Sequence, residues 1–324
     1  MLERWWWRWG WVVRWSGTAL GVLYVARLIH PGKLAAAFSV VSLGAVLGSI
    51  AIVAAGIELG AVRWRIALRA YGARSQPGLL TASRLYFIAV FYNTFLPGAV
   101  AGDVVRGVAT RDSFGEHGAT GALAVVFVER LLGLFGVFAL ILAGIWLVGD
   151  ALGDRSMWWG SLAGGAASLA ALFLLPLGRR LGRFLPAPLA RIAERLPVVV
   201  RPRDFAAAAL LSLATQLAAV IAGWLVLRDL HPRITFGDAL LILPVAAATA
   251  FLPITVGGTG AREAAFVFLC GRVLGMASDD AVAASLLIWL ATLVIGAFGG
   301  LLALTGRGAS DDQSKLRTAS ITRP

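Results

Sequence analysis

Charged residues and cysteine are both scarce in this chain. Only 14% of its 324 residues are charged, and Cys270 is the single cysteine. Soluble globular domains carry about 25% charged residues, so the composition excludes a soluble domain. The single cysteine excludes an intrachain disulfide. The few histidines are scattered, no His/Cys cluster has metal-ligand spacing, and neither a glycine-rich phosphate loop nor a nucleophile elbow occurs. The sequence therefore predicts no metal site and no other cofactor.

Long hydrophobic segments make up most of the chain. Apolar residues account for 59% of it, and the mean hydropathy is +0.82. A transmembrane helix needs about 20 mainly apolar residues, and no alternating strand pattern separates the segments. They cover about 12–29, 38–58, 80–99, 119–148, 157–177, 205–227, 237–257 and 280–305, with a shorter, charged one at 261–276. The sequence predicts an all-α polytopic membrane protein with one integral membrane domain over residues 1–324, since no room remains for a soluble catalytic domain of about 100 residues.

Positive charge is in large excess. The net charge is +12, and every basic side chain other than Lys33 and Lys315 is an arginine. In a membrane protein such an excess fits the positive-inside rule and contact with anionic headgroups better than it fits nucleic acid binding. The arginine-rich stretches 59–80 and 178–204 are therefore expected to be cytoplasmic loops. Residues 1–15 alternate tryptophan with arginine, which is typical of an interfacial belt.

One short segment occurs twice in altered form. FLPGAVAGDVVR at 95–106 and FLPITVGGTGAR at 251–262 agree at six of twelve positions, at a constant offset of 156 residues. Each copy ends a hydrophobic segment, breaks at proline and glycine, and then places an arginine. Interrupted hydrophobic segments at matching positions of two halves indicate a transport site in a membrane protein.

The arginine-rich stretches also constrain the topology. Three hydrophobic segments separate them, so both can be cytoplasmic only if one segment enters and leaves on the same side. Segment 80–99 is the candidate because it ends in Pro97 and Gly98, and irregular backbone at membrane depth is tolerated where protein buries it or where it lines a cavity. Its repeat partner, 237–257, would re-enter from the opposite face.

The resulting prediction is an inverted repeat. It has about six full transmembrane helices and two re-entrant segments, with pseudo-repeats at about 38–177 and 205–305. Both termini, including a tail at 306–324, are expected in the cytoplasm. Eight plain crossings are the alternative.

Polar residues beside the first break could hold a headgroup. Asp103 and Arg106 lie three apart and share a helix face. The break before them exposes backbone N–H groups, which could join Arg106 in binding a phosphate. The alternative is that Asp103 only caps the helix and Arg106 only neutralises it.

Glu129 and Arg130 lie inside a long apolar segment. An ionisable residue costs about 2.5–3.5 kcal/mol at the centre of a membrane helix, and it is by default a functional candidate. The two residues are expected to contact the first break near Asn93 or Asp103. The alternative is a buried Glu–Arg pair that only locks two helices together.

The second break has its own charged residues. Arg262 and Glu263 follow it and mirror Arg106 and its surroundings. No catalytic residue is predicted. The full set of candidate substrate-binding residues is Tyr92, Asn93, Pro97, Gly102, Asp103, Arg106, Glu129, Arg130, Pro253, Gly257, Gly258, Gly260, Arg262 and Glu263.

Three of these motifs resemble one known family. FYNTFLPGAVAGDVVRG at 91–107, VERLLGL at 128–134 and LPITVGGTGAREAAF at 252–266 resemble, in this order, segments of the flippase-like lysylphosphatidylglycerol synthase transmembrane family. Ala101 departs from the glycine usual at its position. The resemblance implies a polytopic protein that moves or accommodates lipids between leaflets. It implies a stand-alone member, because the synthase domain of larger members is missing, so no synthase activity is expected.

Three functions are consistent with these features. The first is binding and translocation of a lipid with an anionic or phosphate-bearing headgroup, either a phospholipid or a polyprenyl-linked lipid, in the cell (inner) membrane. The second is a membrane-embedded lipid-modifying enzyme with Asp103 or Glu129 as base. The third is a non-transporting partner in envelope biosynthesis. A homo-oligomer and a complex with envelope-biosynthesis enzymes are both left open, and no nucleic acid partner is expected.

Overall fold

The structure is a computed structural model that describes residues 30–96, 100–148, 155–181, 198–249 and 260–305, with scattered positions between 16 and 27. Every regular element in these ranges is helical. The predicted all-α class is therefore confirmed. Most of the predicted segment 12–29 and the whole tail 306–324 lie outside the described residues.

Ten α-helices and one 3₁₀ segment follow one another along the described ranges. They are α1 (Pro31–Val40), α2 (Leu43–Ala70), α3 (Leu79–Phe95), α4 (Ala101–Ala109), the 3₁₀ segment (Arg111–His117), α5 (Gly118–Val148), α6 (Arg155–Leu181), α7 (Pro202–Leu230), α8 (Phe236–Ala248), α9 (Ala261–Leu274) and α10 (Ser278–Thr305). Four stretches are long and apolar enough to cross a membrane, namely α2, α5 with the preceding 3₁₀ segment, α7 and α10. The chain is thus a multi-pass membrane protein.

Helices α2 and α7 form an antiparallel pair. At one end, the hydroxyl and backbone N–H of Ser42 both donate to Asp229, at 2.7 and 2.8 Å. At the other end, the carbonyl of Ala70 accepts from the backbone N–H groups of Val200 and Arg201. Because α2 continues to Ala70, the prediction that a loop begins at residue 59 is wrong. The apolar face of the helix extends through Trp64 and Leu68, both fully buried.

Helix α3 ends in the middle of the bundle. It runs antiparallel to α10, since Arg84 near its start donates to the carbonyl of Leu302 at 2.9 Å. The ring of Phe95, its last residue, lies against Gly296. At about 1.5 Å per residue, Gly296 lies roughly 27 Å from the first residue of α10. Helix α3 therefore follows only part of the length of α10.

Helix α8 packs on α5 in the same way. Its first turn meets the end of α5, where Gly237 contacts Leu147, and Gly144 of α5 contacts the backbone of Leu241. Ala248, the last residue of α8, packs against the cluster of buried residues that includes Val137, in the middle of α5. Because α2 and α7 are antiparallel, α3 and α8 start at opposite ends of the bundle.

Glycines permit both contacts. Gly144 on α5 and Gly299 on α10 each touch backbone of the short helix, and a methyl group at either position would overlap that backbone. The repeat offset places Gly144 opposite Gly300, the neighbour of Gly299. Helices α3 and α8 thus pack on α10 and α5 through glycines whose positions differ by one residue at this offset.

The chain returns to its starting end after α3 and α4. The hydroxyl of Ser75, before α3, donates to that of Ser113, after α4, at 3.3 Å. The N–H of Arg74 donates to the carbonyl of Ser113 at 2.8 Å. The α3–α4 unit therefore forms a hairpin that begins and ends on one side of the bundle.

Candidate functional site

A buried carboxylate on α5 contacts residues of three other helices. The side chain of Glu129, on α5, is 1% exposed. Its Oε1 accepts from Nε and Nη2 of Arg63, at 3.1 and 2.7 Å, and from the hydroxyl of Tyr86 at 2.8 Å. Arg63 also donates through Nη1 to Ser212 and Thr215 of α7, both at 3.2 Å. Glu129 thereby connects α2, α3 and α5.

Arg106 joins this carboxylate to a second one. Its Nη1 donates to Oε2 of Glu129 and its Nη2 to Oδ1 of Asp103, both at 2.7 Å. The guanidinium lies 4.3 Å from the centroid of the Tyr86 ring, a distance typical of a cation–π contact. Its Nε is buried, and the described residues supply no acceptor for it. Because Arg106 and Asp103 contact each other, they share one helix face, as their spacing predicts.

Arg130 completes the cluster from its more open side. Its Nε donates to Oδ2 of Asp103, so the predicted contact between the α5 pair and the first break is present. The side chain of Arg130 is 35% exposed, whereas that of Arg106 is 5% exposed. Of the three arginines in the cluster, Arg130 is the most accessible to a ligand.

Close packing of two backbones places Asp103 and Arg106. The N–H of Gly102, at the start of α4, donates to Oδ1 of Asn93 on α3 at 2.8 Å. The Cα of Gly102 lies so close to Ala89 that a methyl group would overlap the Ala89 carbonyl. Glycine at 102 and asparagine at 93 therefore hold α4 against α3.

We expect Gly102→Ala to push α4 away from α3. Overpacking of this kind typically costs about 1–3 kcal/mol, so the melting temperature of the purified protein in detergent should fall clearly. Gly160→Ala is the control, because no atom lies near the added methyl group in α6. Equal melting temperatures for the two variants would show that the close approach of α4 to α3 is wrong.

A cavity of about 240 Å³ opens beside the cluster. The charged residues in the described part of its lining are three arginines and two carboxylates, so their formal charges sum to +1. The lining residues are Arg63, Tyr86, Ala89, Val90, Asn93, Asp103, Arg106, Glu129, Arg130, Gly133, Thr215 and Gln216. We call this space the charged cavity.

A second cavity, of about 160 Å³, is lined by residues of α7, α8, α9 and α10. Its lining is mainly apolar, with Arg262 as its single charged residue among those described. Five lining positions of the charged cavity map onto lining positions here at the repeat offset of 156 residues. The pairs are Arg63 and Ala219, Val90 and Ala246, Arg106 and Arg262, Glu129 and Ser285, and Gly133 and Trp289. We call it the apolar cavity.

Arg262 does not reproduce the contacts of Arg106. It donates through Nε and Nη2 to Oε1 of its neighbour Glu263, at 3.0 and 2.5 Å. Glu263 also accepts from the N–H of Gly260 at 2.7 Å, and Gly260 has a positive φ of 86° that favours glycine. The expected mirror image of the Arg106 surroundings is therefore wrong, because Ser285 replaces the buried glutamate.

The other predicted residues fall into two groups. Tyr92 packs its ring against Phe91, with centroids 5.3 Å apart, and lines neither cavity. Four candidates lie outside the described residues, namely Pro97, Pro253, Gly257 and Gly258. Within the described ranges, no group of three His, Cys, Asp or Glu side chains could hold a metal ion.

Sequence reasoning missed Arg63 and Tyr86. Arg63 was assigned to a cytoplasmic loop, although the structure buries it in α2. The signal was present in the spacing of Ala61, Trp64 and Leu68, which continues one helix face past residue 58. Tyr86 lies in an apolar segment in which nothing distinguishes its hydroxyl.

The fold and the cavity define a class, that of polytopic helical membrane proteins with a charged site enclosed by their helices. The model of the family described as the lysylphosphatidylglycerol synthase TM region matches residues 11–300. The chain belongs to this family, and it is a membrane protein of lipid metabolism or transport. None of the curated proteins compared with it is significantly similar.

Proposed function

We propose that the protein binds a lipid with an anionic or phosphate-bearing headgroup in the charged cavity and moves it between leaflets. The observation that carries the proposal is the excess of arginines over carboxylates among the described residues that line this cavity. An ion pair that served only to hold helices together would have no net charge. Among the described lining residues, Arg63, Arg106 and Arg130 exceed the two carboxylates by one positive charge, which favours an anionic ligand.

The arginines suit a phosphate group. A guanidinium is a planar fork that binds phosphate oxygens through two parallel hydrogen bonds. All three arginines contact a carboxylate, but Arg130 is the most exposed of them, and Arg63 and Arg106 are buried. A cavity of this size beside Arg130 would take a headgroup while the hydrocarbon chains stay among the helices or in the bilayer.

The packing supports an inverted repeat with two re-entrant helices. Helices α3 and α8 start at opposite ends, and each stops partway along a long helix of the other half. Broken helices that meet near the bilayer midplane are typical of transporters built from inverted repeats. In our proposal α3 and α8 enter the membrane from opposite faces.

Cysteine labelling tests this topology. In a variant in which Cys270 is replaced by serine, we expect Ser75→Cys and Asp112→Cys to react with an impermeant reagent from the same side, because the chain returns to its starting end between them. Arg233→Cys, after α7, should react from the opposite side. Labelling of positions 75 and 112 from opposite sides would contradict a re-entrant α3.

Leaflet exchange tests the function itself. The protein is reconstituted into liposomes with a trace of fluorescent phosphatidylglycerol or phosphatidylcholine, and exchange is followed by chemical quenching of the outer leaflet. We expect exchange that depends on the protein and is faster for the anionic lipid. Chemically altered lipid would instead indicate a lipid-modifying enzyme. Neither exchange nor alteration would favour a non-transporting partner.

A further inference from the structure

One side chain lines both cavities. Gln216, on α7, borders the charged cavity and the apolar cavity, and no other described residue lines both. Its Nε2 donates to the carbonyl of Gly133 on α5 at 3.2 Å. The side chain also lies against Gly136, where a Cβ atom would be 3.3 Å from Cγ of Gln216. Two glycines of α5 therefore leave space around this amide.

The repeat does not account for a glutamine at this place. The repeat offset pairs Gln216 with Gly60, which the Tyr86 ring approaches so closely that a Cβ atom would lie 2.8 Å from Cζ. Tyr86 is in turn paired with Ile242. The first half thus has a small residue that lets Tyr86 reach Glu129, whereas the second half has a long polar side chain between the cavities.

We infer that Gln216 is the barrier between the two cavities and sets the rate at which a headgroup passes from one to the other. The inference rests on the proposed translocation. An amide offers both donors and an acceptor, so Gln216 can exchange its bond to Gly133 for bonds to a passing phosphate. Leucine has a similar size but offers no hydrogen bond, and alanine leaves the passage open.

Two substitutions separate the effect of the size of the Gln216 side chain from the effect of its hydrogen bonds. Liposome exchange of fluorescent phosphatidylglycerol should be several-fold faster for Gln216→Ala than for wild type. For Gln216→Leu it should be about tenfold slower, which corresponds to about 1.4 kcal/mol of added barrier. Binding of short-chain phosphatidylglycerol in detergent should change much less than exchange in both variants, because the arginines of the charged cavity are unchanged. Leu210→Ala on the same helix is the control, since Leu210 is 71% exposed.

The outcomes distinguish the two proposals. If wild type exchanges lipid and both Gln216 variants match it, the barrier is contradicted and translocation stands. If wild type exchanges no lipid, translocation fails and the barrier fails with it. If a Gln216 variant loses binding in detergent by as much as it loses exchange, Gln216 acts only through headgroup binding and the barrier is again contradicted. Opposite changes in exchange that clearly exceed any change in binding support the barrier.

Discussion

Replacing Glu129 with glutamine is expected to cause the largest loss of stability in this protein. The substitution keeps the shape of the side chain but leaves Arg63 and Arg106 without the carboxylate that both contact at 2.7 Å. Removing one partner of a buried ion pair typically costs about 3–5 kcal/mol. The measurement is thermal or denaturant unfolding in detergent, with the loss of monodisperse protein as the readout.

Two further variants sharpen this test. Asp112→Asn removes a carboxylate that is 94% exposed and lies 3.5 Å from Arg111, so unfolding should barely change. The double variant Glu129→Gln, Arg63→Gln restores the original net charge of the cavity. It should be more stable than the sum of the single changes predicts, by about 0.5–3 kcal/mol. Similar unfolding of Glu129→Gln and Asp112→Asn would contradict a buried cluster.

Replacing Arg130 with glutamine should have the largest effect on ligand binding. The described lining of the charged cavity then has two arginines and two carboxylates and no net charge, while Asp103 keeps its contact with Arg106. We expect affinity for short-chain phosphatidylglycerol to fall about tenfold, or roughly 1.4 kcal/mol, the order of one charged hydrogen bond. Titration in detergent against phosphatidylcholine measures the loss of preference for the anionic lipid.

The control for this variant changes the same charge elsewhere. Arg201→Gln alters the net charge equally, but the Arg201 side chain is 66% exposed and lies 3.9 Å from Asp204 at the surface. Its binding of phosphatidylglycerol should match that of wild type. An equal loss in both variants would mean that the overall charge of the protein, and not the cavity, attracts the anionic lipid.

The helical class and much of the cluster follow from the sequence. Long apolar segments allow only helices here, and a spacing of three places Asp103 and Arg106 on one face. The cost of an ionisable group in an apolar helix singles out Glu129. These inferences depend on local rules, and the structure places Asn93, Asp103, Arg106, Glu129 and Arg130 around one cavity.

Other features depend on contacts between distant segments. The hydrophobic segment 38–58 ends where arginines begin, but the helix continues to Ala70. Hydrophobicity alone therefore places Arg63 in a loop, although it lies within α2. The role of Tyr86 depends on Gly60 in another helix, which lets its ring approach. Gln216 donates to the carbonyl of Gly133 on α5, and only the packing of the helices reveals that its side chain lines two cavities.

The sequence repeat correctly relates the positions of Arg106 and Arg262, but it does not predict the residues that surround them. Arg106 and Arg262 coincide in the alignment and line related cavities. However, α4 begins at Ala101 and α9 begins at Ala261, so Arg106 lies in the second turn of its helix and Arg262 in the first. The position equivalent to Glu129 at the repeat offset is Ser285, which carries no charge. A pattern of identical residues cannot show that the partners of those residues have changed.

The most direct test of the central claim is the ratio of exchange rates for phosphatidylglycerol and phosphatidylcholine in liposomes containing wild type, Arg130→Gln or Arg201→Gln. The account predicts a ratio well above one for wild type and for Arg201→Gln, and a ratio near one for Arg130→Gln. Exchange by wild type without preference for the anionic lipid, or a preference that survives Arg130→Gln undiminished, would contradict selection of an anionic headgroup by the charged cavity.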